Sequence, residues 1–124
     1  MSTESIVSLS ILGDDGIQLD ARVLDQGASV GLIVCHPHPL FSGTMDNKVV
    51  TTVMRSARDL GLNTLRFNFR FVGNSTGSHD NGVGEQDDVA AAVAYARDSL
   101  GWKKIILAGF SFGAGMACLY ASEH

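Results

Sequence analysis

Lys104-Ile105-Ile106-Leu107-Ala108 is a short apolar run that ends in Gly109-Phe110-Ser111-Phe112-Gly113, and an Ala- and Leu-rich segment of helical character follows. Few folds accept a strand that becomes a helix within so few residues and holds a serine at the bend. The spacing Gly-x-Ser-x-Gly is that of a nucleophile elbow, which exposes the serine hydroxyl on a sharp, strained turn. Glycines two before and two after the serine are needed because the strand and helix backbones pass too close there for a side chain. Ser111 would sit at a helix N-terminus, where backbone N–H groups and the helix dipole favour a developing negative charge. The implied chemistry is serine attack on an acyl carbonyl.

A second match, Gly73-Asn74-Ser75-Thr76-Gly77, tests how far the spacing alone can be used. No apolar strand leads into Ser75 and no helix starts after it, so the spacing lacks the context that gives it meaning. Ser111 has both flanks. The expectation is that Ser111 is the reactive serine and Ser75 is not.

At 124 residues the chain is one domain at most, spanning 1–124, with enough apolar content for a real core. The net charge is −4 and the basic residues are scattered among acids, which argues against a nucleic-acid partner. No apolar run approaches the length of a membrane span, so no membrane partner is expected. Met1-Ser2-Thr3-Glu4-Ser5 lacks the basic and apolar regions of a signal peptide. A cytoplasmic location is expected. Cys35, at a strand end, and Cys118, on a helix, read as small buried hydrophobes and not as a disulfide framework.

Ser5 to Leu12 and Ile17 to Leu24 both alternate, with Asp14-Asp15-Gly16 between them, which predicts an antiparallel hairpin. Val30 to Cys35 is continuously apolar, as in a strand covered on both faces. Asp46 or Thr44 is expected to cap a helix with Val49, Val50, Val53, Met54, Ala57 and Leu60 on one stripe, ended by Gly61. Leu62 to Phe69 reads as a strand, 70–84 as a glycine-rich loop, and Glu85 to Leu100 as a helix with Val89, Ala92, Val93 and Ala96 inward. Glu85, Asp87 and Asp88 in its first turn suit the positive end of its dipole. Strand, helix, strand, helix, strand, helix from Val30 onward predicts an open, mostly parallel α/β sheet with right-handed crossovers. Working residues then belong in the loops after the strands: 36–45, 70–84 and 109–113.

His36-Pro37-His38-Pro39 opens the first of these loops. An elbow serine needs a second oxyanion donor from this position, beside the N–H of the residue after it. The prolines have no N–H, which leaves His38 as the best main-chain donor, with Phe112 as the other. Two further readings stay open: His36 and His38 as a metal-ligand pair, or as imidazoles that prop a rigid loop. Arg70 either ties down its loop or meets an anionic group, and most residues of 70–84 read as solvated turn material.

His36-Pro37-His38-Pro39 with Gly43-Thr44-Met45-Asp46-Asn47-Lys48, then Leu65-Arg66-Phe67-Asn68-Phe69-Arg70, then Gly109-Phe110-Ser111-Phe112-Gly113 resembles the small lidless α/β-hydrolases related to dienelactone hydrolase. The resemblance runs from about residue 5 to the end. It implies Ser111 as nucleophile, with the Phe112 N–H and the His38 loop as oxyanion donors. It implies no metal or organic cofactor. Phe71 stands where these proteins usually have glycine. The family also carries three more strands, which bear the triad acid and histidine, so the resemblance covers the N-terminal portion only.

The triad order in this fold is Ser, then Asp or Glu, then His. Glu123 and His124 fit that order, but a helix leaving Ser111 would carry them roughly 18 Å away. The expectation is therefore an esterase-like serine hydrolase acting on an ester, thioester or amide, with the triad acid and histidine outside this chain. The isolated chain is expected to be nearly inactive and to self-associate or pair with a C-terminal segment through its last strand. Two alternatives remain: a non-catalytic, partner-binding hydrolase scaffold, and an NAD(P)-binding oxidoreductase built on the glycine turn Gly109-x-x-x-Gly113-x-Gly115.

Overall fold

A computed structural model describes residues 4–11 and 14–123 of the chain. They form a five-stranded mixed sheet in the order β1-β2-β4-β3-β5, flanked by three helices. The strands are β1 (Ser5–Ile11), β2 (Asp14–Leu24), β3 (Val30–Cys35), β4 (Asn63–Phe67) and β5 (Lys104–Gly109). The helices are α1 (Lys48–Asp59), α2 (Glu85–Ala94, continued by a wide turn over Tyr95–Ser99) and α3 (Phe112–Glu123). β1 and β2 pair antiparallel, β2 joins β4 antiparallel, and β3 runs parallel to both β4 and β5.

The connection from β3 through α1 steps towards β2, whereas that from β4 through α2 steps back across β3 to β5. Crossovers of one handedness in opposite directions place their helices on opposite faces of the sheet. Ile33 and Cys35 accordingly pack with Phe67, Val89, Ala92 and Met116 on one face, and Leu32 and Val34 with Val50, Met54 and Ala57 on the other. This explains the unbroken apolar run of β3. The reversal of direction also opens a crevice at the C-terminal ends of β3 and β5, where ligands bind in open α/β sheets.

Several local expectations need correction. Asp14, Asp15 and Gly16 belong to β2, not to a turn, and pair with β1 from Ile11↔Asp14 on; residues 12 and 13 lie outside the described residues. Asn47, not Asp46 or Thr44, caps α1, its side-chain oxygen accepting the Val49 N–H at 2.9 Å. The buried stripe of α1 is Val50, Met54 and Ala57, while Val49 and Leu60 at its margins are exposed. β4 stops at Phe67, two residues early: the Asn68 N–H still reaches the Asp20 carbonyl, but the Phe69 N–H goes to the His36 ring and the Asp20 N–H to the Ser75 hydroxyl. Cys118 is exposed; only Cys35 is buried, and burial pushes its thiol up to about 12.

Candidate active site

Ser111 links the last residue of β5 to the start of α3 with a φ of +58°. That left-handed conformation is costly for a residue with a β-carbon and persists only where the surroundings over-determine it. Here they do. A β-carbon on Gly113 would collide with the Cys35 carbonyl, and one on Gly109 would collide with the backbone of Gly113 and Ala114. Strand and helix are thus in backbone contact across the turn, and the Phe110 N–H reaches the Cys35 carbonyl at 3.3 Å. The Ser111 side chain is exposed.

The 36–45 loop is pinned at both ends to the end of β4. The His36 ring is fully buried; its Nε2 accepts the Phe69 N–H at 3.0 Å, which leaves Nδ1 to donate to the Pro37 carbonyl at 2.6 Å. At the far end, the Asn68 side chain accepts the Met45 N–H at 2.9 Å. His36 therefore has both nitrogens engaged inside the protein and is a prop, not half of a metal-ligand pair. His38 is placed differently. Its carbonyl turns into the loop to accept the N–H groups of Phe41 and Gly43, and its Nδ1 accepts from Leu40. Its own N–H has no hydrogen-bond partner among the described residues. Its ring packs on Phe112 with centroids 4.8 Å apart. Phe112 is the first residue of α3, where an N–H has no intrahelical acceptor.

His36 carries a testable pH dependence. Burial holds its ring at about 4, well below the ordinary histidine value of 6.5. The unfolded chain then binds the extra proton first, so the contribution is complete above pH 6.5 and is lost as pH falls towards 4. The expected loss is about 2–3 kcal/mol of folding stability. Urea denaturation at pH 7 and pH 4.5 measures it, and His36→Gln, which keeps an acceptor for Phe69, should remove most of the difference.

Most residues of the 70–84 loop are exposed, as its composition suggests, but a few of its polar groups are buried and anchor it. Arg70 is buried and clasps Asp88, which is fully buried, through Nε at 3.0 Å and Nη2 at 2.8 Å; the Arg70 N–H donates to the same carboxylate at 2.8 Å. Burial pushes the Asp88 carboxyl above its ordinary range against the pull of Arg70. Arg70 therefore ties its loop down and is not free for an anion. Ser75 is also buried, its hydroxyl donating to the Asn68 carbonyl and accepting the Asp20 N–H, both at 2.8 Å. Phe71, where glycine was expected by resemblance, keeps a left-handed φ of +79° and is half exposed.

The sequence offers Glu85 only as an acid in the first turn of a helix, and His79 only as a histidine ahead of Ser111 that could serve it as a base in no standard arrangement. Glu85 is not merely an acid at a helix start; it is fully buried and accepts the N–H groups of Asp80 at 2.7 Å and Gly82 at 3.0 Å. His79 lies beside it and packs on both His38 and Phe112. The signal available was the run Asp80-Asn81-Gly82-Val83-Gly84-Glu85, whose turn residues offer amides to a carboxylate that follows them.

Residues 38–124 match the family model described as the alpha/beta hydrolase fold. The chain belongs to that family. An alpha-beta serine hydrolase homologue from Coxiella burnetii is 42% identical with a TM-score of 0.85, over 98% of this hydrolase-fold chain and 58% of its own. A serine hydrolase without lid from Xanthomonas campestris is 40% identical with a TM-score of 0.86, over 97% and 56%. The Pyrococcus furiosus esterase Pf2001 is 26% identical with a TM-score of 0.88, over 98% and 47%. An uncharacterized protein of Rickettsia prowazekii is 42% identical over 98 residues, 78% of this chain and 41% of its own. The hydrolase-fold chain thus spans about half the length of these relatives. Among its described residues, no helix is long and apolar enough to cross a membrane.

Proposed function

We propose that this chain carries the nucleophile half of an esterase-like serine hydrolase, with Ser111 forming an acyl-enzyme on an ester, thioester or amide. The observation that carries the reading is the strained backbone of Ser111 at the β5–α3 turn, held by glycines that the packing requires. Ser111 Oγ attacks the carbonyl carbon, its proton passes to a histidine, and the carbonyl oxygen becomes an oxyanion. The N–H groups of Phe112 and His38 receive that oxyanion; the absence of an internal acceptor for either supports the role. The chain order of the fold puts the triad acid and histidine after the nucleophile. Here the described residues after Ser111 are those of α3, so we assign both groups to the portion of the fold that the relatives carry beyond the matched region. No cofactor is required by this chemistry.

In the hydrolase completed by the portion that carries the triad acid and histidine, a fluorophosphonate probe followed by peptide mass analysis tests the reading. The adduct is expected on the peptide holding Ser111; an adduct on Ser75 alone would overturn it.

The sheet itself supports a further expectation about partners. β5 is an edge strand, with Ile105 and Leu107 half-buried and Ile106 exposed. Apolar edges recruit strands. In light scattering, the 124-residue chain is expected to run larger than a monomer, or to become monomeric only with a C-terminal segment bound. A stable, well-dispersed monomer of the chain alone would refute this.

A further inference from the structure

His79 Nδ1 is the single buried side-chain nitrogen or oxygen without a hydrogen-bond partner among the described residues. A sealed polar atom left unpaired costs about 1–3 kcal/mol, so it calls for an explanation. The side chain is nine-tenths buried, and Nδ1 lies 3.1 Å from Glu85 Oε2 but off the line of a hydrogen bond. Glu85 cannot shift to meet it, because its two oxygens are held by the Asp80 and Gly82 N–H groups. The loop carrying His79 is fixed as well, through the Gly84 N–H on Asp80 and the Arg70–Asp88 clasp. A small rotation of the imidazole is what remains.

The other face of the ring meets the candidate site. The His79 centroid is 5.3 Å from that of His38 and 5.9 Å from that of Phe112, the two residues whose N–H groups were assigned to the oxyanion. Nε2 has no partner either and, unlike Nδ1, is not sealed from solvent. A proton on Nδ1, facing Glu85, leaves Nε2 a bare acceptor. Nε2 then presents an acceptor outward, beside the rings of His38 and Phe112. The charge around it selects further. Arg70 is the sole arginine or lysine in the three loops and is committed to Asp88, so no free guanidinium or ammonium there selects an anionic acyl group.

We propose that His79 is a specificity-determining residue that accepts a hydrogen bond from a hydroxyl on the acyl group, making neutral hydroxyacyl compounds the preferred substrates. Binding the hydroxyl turns the ring and completes the Nδ1–Glu85 hydrogen bond. The proposal rests on the reading of Ser111 as nucleophile, and its test separates the two. Boronic acids serve as probes, since the serine oxygen adds to boron and its proton leaves to the buffer. Phenylboronic acid and 3-hydroxyphenylboronic acid are titrated into the assembled hydrolase and into its Ser111→Ala, His79→Phe and His79→Asn variants, with boron and histidine nitrogen resonances recorded.

The hydroxylated probe is expected to bind roughly 3- to 10-fold tighter, with a shift of the His79 nitrogens that the parent probe does not produce. His79→Phe should erase the preference between the two probes, in keeping with the loss of one hydrogen bond. Equal affinities in the unmodified hydrolase with a silent His79 would overturn the proposal while leaving Ser111 standing. Parent binding that survives Ser111→Ala, or no binding of either probe, would overturn the Ser111 reading and this proposal with it. The His79 shift is read on the unmodified hydrolase, so the result stands even if a variant folds poorly.

Discussion

Ser111→Ala should abolish covalent labelling and, in the assembled hydrolase, lower ester turnover by about a millionfold, the scale seen when a nucleophile that acts with a base is removed. What survives is the catalysis of binding and the oxyanion donors. Folding should be untouched, because alanine keeps the β-carbon and the Ser111 side chain makes no internal hydrogen bond among the described residues. Ser111→Gly is the sharper variant. It relieves the strain of a φ of +58° and should raise stability by about 1 kcal/mol while being equally inactive. Gain of stability with loss of function marks strain held for chemistry. Ser75→Ala should do the reverse. It strips the Asp20 N–H and the Asn68 carbonyl of a buried partner, costing about 1–3 kcal/mol, and leaves labelling at Ser111 intact. Melting curves beside probe labelling separate the two serines; labelling lost in Ser75→Ala and kept in Ser111→Ala would reverse the assignment.

Asp88→Ala should be the most destabilising single change in the described chain, at about 3–5 kcal/mol. It leaves the buried Arg70 guanidinium without its carboxylate and the Arg70 N–H without its acceptor. For a domain whose total stability is about 5–15 kcal/mol, this removes at least about a fifth of it. The loss follows from stranding a charge, so removing the charge as well should restore most of it. Arg70→Met combined with Asp88→Asn keeps an acceptor for the Arg70 N–H and should recover more than half of the loss in urea titrations. If Asp88→Ala alone costs under 1 kcal/mol, the clasp has been misread.

The turn at Ser111 was legible in the sequence because backbone sterics act locally: an apolar run, two glycines and a helix-forming stretch suffice to write it. The parallel core was legible for a similar reason, since Val30–Cys35 is apolar at every position only when both faces are covered. The polar residues of 70–88 were not legible. Asp88, Ser75 and Arg70 read as ordinary polar positions of a helix start and a turn-rich loop, and nothing within a few residues of each reveals its partner. Arg70 finds Asp88 eighteen positions on, and Ser75 finds Asp20 fifty-five positions back. The same holds for His36, whose bond to the Phe69 N–H turns a candidate ligand into a prop. Hydrophobic pattern and steric demand are carried by the residues themselves. The fate of a buried polar group depends on which atom the fold brings to it, and only the tertiary structure decides that.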